Sequence, residues 1–355
     1  MTPRFHSLRI AEVRRECADA VSLRFDVPPA LAADYAFVQG QHVTLRTQLA
    51  GRELRRSYSI CAAADDGELR VAIRKVSGGA FSTFANAQLK AGDSIDVLTP
   101  EGRFHTPLHP ANAKHYVAFA AGAGITPVLS LIKTTLKREP RSRFTLLYGN
   151  RRVATTMFQE ALEDLKDRYL ERFTLYNLFS REHQEVELFN GRLDAPKVQA
   201  LADTLLPVDG IDEAFLCGPD TMLDEVEGAL RARGMPAEHI HLERFGVPAA
   251  GAAHHVEPGD APQALITVLV DGVRREVEFH AGDPSVLDAA LRAGVDLPYS
   301  CKGGMCCTCR AKVLEGRLRM DKNYSLEQRD LDAGFVLTCQ AHPLSDHVTV
   351  SYDER

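Results

Sequence analysis

No apolar run in this sequence approaches the roughly 20 residues that a helix needs to cross a bilayer. A membrane-spanning protein is therefore not expected. Basic residues are in no excess either: 42 Lys and Arg stand against 48 Asp and Glu, for a net charge of −6. A nucleic-acid binder would carry a basic face, so no nucleic-acid partner is expected. The opening stretch, MTPRFHSLRIAEVRRE, lacks the apolar core of a secretion signal, and a cytoplasmic location is the default. No internal repeat is visible. Cysteine is scarce over most of the chain, with only Cys17, Cys61 and Cys217 before residue 300. Cys301, Cys306, Cys307, Cys309 and Cys339 then crowd the C-terminal end. In a cytoplasmic chain such clustering suggests metal rather than disulfides.

At 355 residues the chain exceeds what one hydrophobic core usually serves, so two or three domains are expected. Residues 1–105 read as short strands between turns. VSLRFDV, HVTLRTQL, RSYSICA and LRVAIRKV carry alternating or β-branched residues, punctuated by Asp66-Gly67 and Gly78-Gly79. This pattern predicts an antiparallel β-barrel. Residues 106–246 alternate buried-strand runs (HYVAFAAG, FTLLYGN, FTLYNLFS, EAFLCGP) with the helical stretches PVLSLIKTTLKRE and TTMFQEALEDLKDRY. That is the pattern of a doubly wound, parallel α/β domain. Residues 247–263 are rich in Ala, Pro and Gly and read as a linker. His254 and His255 lie within it and read as solvated side chains. Residues 264–355 open on a hairpin, LITVLVDGVRREVEF, turning at Asp271-Gly272. A helix, SVLDAALRAG, the cysteine loop and a final strand, HVTVSY, follow.

The strongest signal is PYSCKGGMCCTCRAKVLEG with LTCQAHP. Cys301, Cys306 and Cys309 stand at C-x4-C-x2-C spacing, and Cys339 follows. This is the plant-type [2Fe–2S] arrangement, four soft thiolates suiting two irons. Gly303 and Gly304 let the loop wrap closely and aim N–H groups at sulfur. Cys307 fits no ligand spacing and reads as a small residue turned away. A four-thiolate zinc site is the alternative, since Cys306 and Cys309 are also at zinc-knuckle spacing, but zinc sites more often pair two C-x2-C units.

Arg56-Ser57-Tyr58-Ser59 lies on an expected strand. Tyr58 offers an amphipathic ring for stacking, Ser59 a hydroxyl, and Arg56 a planar cation for an anionic group. In GGAFSTF, Gly78, Gly79, Ser82 and Thr83 stand at a helix N-terminus, an anion site through its free N–H groups. AGAGITP follows a strand and precedes a helix. Gly122 and Gly124 there permit close approach of a phosphate, while Pro127 replaces the third glycine of the dehydrogenase fingerprint. Cys217-Gly218-Pro219 ends a strand, where open α/β sheets bind ligands. No carboxylate occurs between Tyr148 and Phe158. Asn150, Arg151 and Arg152 stand there instead, and Arg suits a 2′-phosphate. NADPH is therefore expected in preference to NADH.

R-x-Y-S, GGAFSTF and the G-x-G-x-x-P turn together resemble the ferredoxin–NADP reductase superfamily. Residues 264–355 resemble a plant-type ferredoxin of the β-grasp fold, though with acidic and basic residues nearly balanced. The resemblance implies FAD and [2Fe–2S] as cofactors and the GGAFSTF segment on the FAD diphosphate. It also implies Thr126 on the nicotinamide side, Cys217 beside the nicotinamide, and Glu243 and Phe245 against the flavin. Ser59, Cys217 and Glu243 then become the candidate catalytic residues. Through RSYSIC, IRKVSGGAFST, LLYGNR and CKGGMCCTC, the whole chain resembles the reductase family of the bacterial phenylacetyl-CoA epoxidase (oxygenase) complex. Reductases serving steroid, alkane and fatty-acid hydroxylases share the layout. This implies electron delivery to a separate di-iron oxygenase, because no pair of E-x-x-H motifs offers a di-iron site here. A stand-alone reductase of small oxidants is the alternative.

Overall fold

The computed structural model describes residues 3–246 and 257–354. They form two compact bodies. One comprises Ser7–Leu54 with Tyr58–Phe245, and the other the described residues before Ser7, Arg55–Ser57, and the described residues from Gly246 on. Residues 247–256, with His254 and His255, lie outside the described residues.

The first body opens with six strands: β1 (Phe5–Cys17), β2 (Ala20–Asp26), β3 (His42–Leu49), β4 (Arg52–Ser59), β5 (Leu69–Arg74) and β6 (Ser94–Leu98). Their order is β4-β3-β6-β1-β2-β5. An antiparallel bridge from Ile60, just past β4, to Val71 on β5 joins the two ends and makes the sheet barrel-like. The interior is filled by inward-facing residues such as Leu8, Leu23, Val43 and Ile73. Helix α1 (Ala80–Ala87) follows β5 and buries Phe81 and Ala85 against this core.

The same body continues as a parallel sheet of β7 (His115–Ala121), β8 (Arg143–Asn150), β9 (Phe173–Phe179), β10 (Glu213–Gly218) and β11 (Ile240–Arg244). Helices α2 (Ile125–Arg138), α3 (Gln159–Arg168), α4 (Ala195–Thr204) and α5 (Asp220–Ala232) intervene. The order is β11-β10-β7-β8-β9, so the winding reverses between β7 and β10. The continuous apolar runs are explained by burial on both faces. Along β7, Tyr116, Ala118 and Ala120 enter one core, and Val117 and Phe119 enter the other. Helix α3 starts later than TTMFQEALEDLKDRY suggests. Phe158 takes a left-handed φ of 58° that drops Met157 and itself into the core, and the helix begins only at Gln159.

The second body is a mixed sheet, β13-β12-β18-β14-β16, with a β15-β17 ribbon beside it. Its elements are β12 (Gln263–Val270), β13 (Val273–His280), α6 (Val286–Arg292), β14 (Arg310–Glu315), β15 (Leu318–Met320), α7 (Gln328–Asp332), β16 (Phe335–Leu337), β17 (Ala341–Pro343) and β18 (His347–Ser351). The hairpin turns where expected. Asp271 and Gly272 both have positive φ, 51° and 73°, as a type I′ turn requires. Asp353 accepts from both of their N–H groups at 2.7 and 2.8 Å. Ser285 caps α6 by accepting from Asp288 N at 3.1 Å. The chain is tied to this body before β12 begins, because Ala261 N donates to Pro343 O and Asp260 pairs with Arg319.

One buried carboxylate holds the lead-in to β7 against the end of α2. Glu139 is fully buried and accepts from His109 N, the Asn112 amide, the Tyr116 hydroxyl and the Ser142 hydroxyl at 2.6–3.0 Å. Removing the acceptor leaves buried donors unpaired, at about 1–3 kcal/mol each. Glu139→Ala is expected to lose roughly 2–4 kcal/mol, read as a lower urea midpoint at unchanged m-value. An unchanged midpoint would show that the cluster of donors finds other partners.

Candidate functional site

Three groups of residues come together around the end of β7. Cys217 on β10 lies opposite Glu243 on β11 in the parallel register. The Ser59 hydroxyl, at the end of β4, donates to Glu243 Oε2 at 3.5 Å. The three expected catalytic residues therefore share one place, although they are far apart in the chain. Cys217 is fully buried, and burial pushes its thiol well above the ordinary range, with Glu243 adding to the effect. It stays a neutral thiol at neutral pH.

The glycine turn after β7 runs against the end of β10. A side chain at Gly124 would collide with the Cys217 carbonyl oxygen, and Gly122 takes a φ of 55°. Gly218 is packed just as closely: a Cβ there would meet the Met222 methyl at 2.7 Å and Ala121 Cβ at 3.2 Å. Helix α2 starts at Ile125 with no side-chain cap, running on from a 3-10 turn at Gly122–Gly124 whose carbonyl at Gly122 accepts from Ile125 N. Pro127 sits in that first turn, where its missing N–H costs nothing. Thr126 is buried and donates to Ala123 O at 3.0 Å, so its hydroxyl fastens the turn. Pro219 is the N-cap residue of α5.

On the barrel side, Gly78 turns at a φ of 71° and Gly79 is the N-cap of α1, again without a side-chain cap. The Ser82 hydroxyl accepts from Val76 N at 3.0 Å and donates to Gly79 O at 3.2 Å. It shapes the loop, while exposed Thr83 follows it in the first turn. The Tyr58 ring lies 5.6 Å from Phe81 in a tilted pair. Arg56 donates to the Arg55 carbonyl at 2.7 Å. Phe245, just beyond β11, is exposed.

Asn150 ends β8. It is buried beside the Tyr148 hydroxyl, yet neither its amide nitrogen nor its oxygen closes a hydrogen bond. Arg151 and Arg152 are exposed, and neither guanidinium has an ion-pair partner among the described residues.

The structure adds residues that sequence reading missed. Arg74 on β5 reaches the nucleotide half: its guanidinium donates to Thr155 O at 2.7 Å and would sit 3.2 Å from a Cβ at Gly122. Arg181, after β9, donates its backbone N–H to Arg151 O at 2.9 Å, so its main chain is tied to the β8 loop. Glu182 brings a carboxylate to that loop as well, but it accepts from Val153 N at 3.0 Å. His42 opens β3, with Nδ1 4.0 Å from Glu243 and Nε2 buried and unpartnered. No local pattern marks these residues, because each acts across strands.

The residues present suit the groups the sequence implies. Helices α1 and α2 both follow glycine turns without a side-chain cap, which would suit phosphate-bearing ligands. In the second body the four thiols stand as two pairs. Cys301 accepts from Cys306 and is pulled down to about 7, while Cys339 accepts from Cys309 and is also lowered. No three His, Cys, Asp or Glu side chains among the described residues converge on a single-ion site. Cys301, Cys306, Cys309 and Cys339, in two pairs, would suit a two-iron cluster held by four thiolates. Lys302, Gly304 and Cys307 all have positive φ in the loop, and Gly303 N donates to Cys301 Sγ at 3.3 Å. The Cys307 thiol donates instead to Ser325 O at 3.4 Å. Among the described residues no helix is long and apolar enough to cross a membrane.

Burial lowers the His42 pKa to about 4 from 6.5. The unfolded chain then binds a proton between those values that the folded chain refuses, so stability is lost as pH falls through this window. The loss amounts to about 3 kcal/mol. Urea titrations of wild type and His42→Gln across pH 7 to 4 are expected to diverge, with the variant losing less. Parallel curves would show that His42 accepts its proton in place.

Comparison with known proteins supports the same division of labour. The family models for an oxidoreductase FAD-binding domain, an oxidoreductase NAD-binding domain and a 2Fe-2S iron-sulfur cluster binding domain match residues 7–106, 119–228 and 268–344. The chain is 47% identical to a component of the 1,2-phenylacetyl-CoA epoxidase of Escherichia coli (strain K12), over 99% of this chain and 98% of that one. It is 35% identical to the ferredoxin reductase component of 3-ketosteroid-9-alpha-monooxygenase from Mycolicibacterium smegmatis, over 98% and 97% of the two chains. Phthalate dioxygenase reductase has the same fold, with a TM-score of 0.59 at 21% identity, covering 98% of each chain. With an FAD-binding, an NAD-binding and an iron–sulfur domain in one chain, and at that identity over nearly its whole length, this protein belongs to the ferredoxin reductase superfamily, among the electron-transfer reductases that include the phenylacetyl-CoA epoxidase reductase.

Proposed function

We propose that this chain takes electrons from NADPH and delivers them singly to a separate di-iron oxygenase, the epoxidase component that acts on phenylacetyl-CoA. The meeting of Ser59, Glu243 and Cys217 beside the glycine turn, in a chain that also carries four paired thiols, supports this reading best. The 47% identity to the epoxidase component favours that partner over a steroid hydroxylase. We take the working divisions as residues 1–105 for FAD, 106–246 for nucleotide, 247–263 as linker and 264–355 for the cluster.

FAD held by these residues would supply the exchange needed between a two-electron nicotinamide and a one-electron cluster. The protein's part is to bind and orient. Tyr58 presents its ring to the flavin, with Phe81 behind it, and Arg56 serves the diphosphate. Gly78 and Gly79 free the first-turn N–H groups of α1 for the same diphosphate, with Ser82 holding the loop and Thr83 at its edge. Gly122, Gly124, Thr126 and Pro127 shape the turn that admits the nucleotide, and Gly218 and Pro219 keep the end of β10 clear. Arg74 adds a cation at that turn. The neutral thiol of Cys217 borders the nicotinamide without repelling it, Ser59 holds a proton donor at the flavin, and Glu243 holds the proton acceptor next to it. Phe245 shields the flavin. Cys301, Cys306, Cys309 and Cys339 are the cluster ligands.

The purified protein is expected to contain one FAD, two iron and two labile sulfide per chain. Cys339→Ala should lose the cluster and single-electron output, while reduction of the flavin by nucleotide survives. A folded, flavin-loaded variant that nucleotide no longer reduces would contradict the division.

The β8 and β9 ends support NADPH. Asn150 offers an unpartnered amide, and Arg151 and Arg152 offer guanidinium groups where a 2′-phosphate would lie. Glu182 is already engaged by the backbone. A charge-assisted contact of about 1.5–3 kcal/mol is at stake. Arg151→Ala should weaken NADPH use roughly ten- to a hundredfold and leave NADH use nearly unchanged. Steady-state kinetics with both nucleotides decides this, and equal losses would remove the reading.

A further inference from the structure

We infer that Gln340 is a positioning residue of the iron–sulfur centre, a side-chain hydrogen-bond donor that raises its reduction potential. The inference rests on the four cysteines being cluster ligands. Gln340 directly follows Cys339 and is buried. Its amide nitrogen donates to Lys302 O at 3.0 Å and to Cys339 O at 2.8 Å, and Cys339 Sγ lies 3.6 Å from the same nitrogen, so one of its two hydrogens is shared between the oxygen and the sulfur of Cys339. One side chain thus joins the Cys301–Cys309 loop, through Lys302, to the separate segment bearing Cys339.

The segment that carries the amide is fixed through its backbone: Asp321 N donates to the Gln340 main-chain carbonyl at 2.9 Å, and Lys322 O lies 3.0 Å from where a Cβ on Gly304 would stand. That Cβ would also meet Gln340 Cγ at 3.3 Å, so the positive φ and bare backbone of Gly304 leave the room Gln340 occupies. Behind it, Asp321 is fixed by His342 at 3.0 Å and by Arg319. A buried donor aimed at a ligand sulfur stabilises the more negative, reduced centre more than the oxidised one, because added electron density resides partly on sulfur. Glutamine at this place does what backbone N–H groups do elsewhere in such loops, but from a side chain that can be changed.

The test uses the full-length protein loaded with FAD and iron. Gln340→Met keeps length and removes the donor. Gln340→Glu keeps shape and replaces the donor with an acceptor. Wild type lacking two iron and two labile sulfide would refute the underlying reading before any variant is made. With the cluster present, both variants are expected to shift its one-electron equilibrium about tenfold toward the oxidised form, a fall of about 59 mV. The EPR signal of the reduced centre should change, and the flavin midpoint should not. An unchanged cluster potential in loaded variants overturns the inference. So does loss of the cluster in both variants while the domain stays folded, since that assigns Gln340 to assembly alone.

Discussion

The molecule depends on the close approach of two backbones, the glycine turn after β7 and the carbonyl end of β10. Gly124 touches the Cys217 carbonyl with no room for a side chain between them. This contact lies where the sheet reverses its winding, at β10-β7 in the strand order. Every other part of the first site follows from it. It fixes the end of β10, where the neutral Cys217 thiol is buried, and carries Glu243 in register on the neighbouring strand toward Ser59. A sheet wound in one direction only would have put these strand ends under a covering helix.

The first body makes the flavin and nucleotide halves mechanically one. Besides Ser59 with Glu243, the Arg74 guanidinium spans from β5 to Thr155, and Arg138 pairs with Asp65 through two nitrogen–oxygen contacts at 2.5 and 2.7 Å. Exposed ion pairs of this kind contribute little to stability individually. Their value is geometric, since hydride transfer tolerates little error in the placement of donor and acceptor. In the second body the same economy of position is achieved by backbone strain. Lys302 and Cys307 adopt left-handed conformations that ordinary side chains avoid, at about 1 kcal/mol or more each. That strain wraps the loop so that the cysteines stand in two pairs.

Much of this was legible beforehand because the signals are local. The C-x4-C-x2-C spacing, the Asp271-Gly272 turn and the apolar runs of the parallel strands each depend on neighbours in sequence. Where reading failed, the cause was distant. TTMF scores as helix, but the core recruits Met157 and Phe158 and delays α3. The absence of a carboxylate after Tyr148 held for the β8 loop, while Glu182 arrives there from the end of β9.

By itself, then, the sequence determined which chemistries the chain carries. Thiolate spacing, uncapped glycine-led helix starts and strand–helix alternation are properties of short segments, set by ligand geometry and backbone conformation. Only the tertiary structure decided which residues work together: Arg74 at the nucleotide turn, Arg181 beside Arg151, His42 near Glu243 and Gln340 between Lys302 and Cys339. Such pairs join residues from different strands or loops, and their contact depends on strand order and register, which no local pattern of residues encodes.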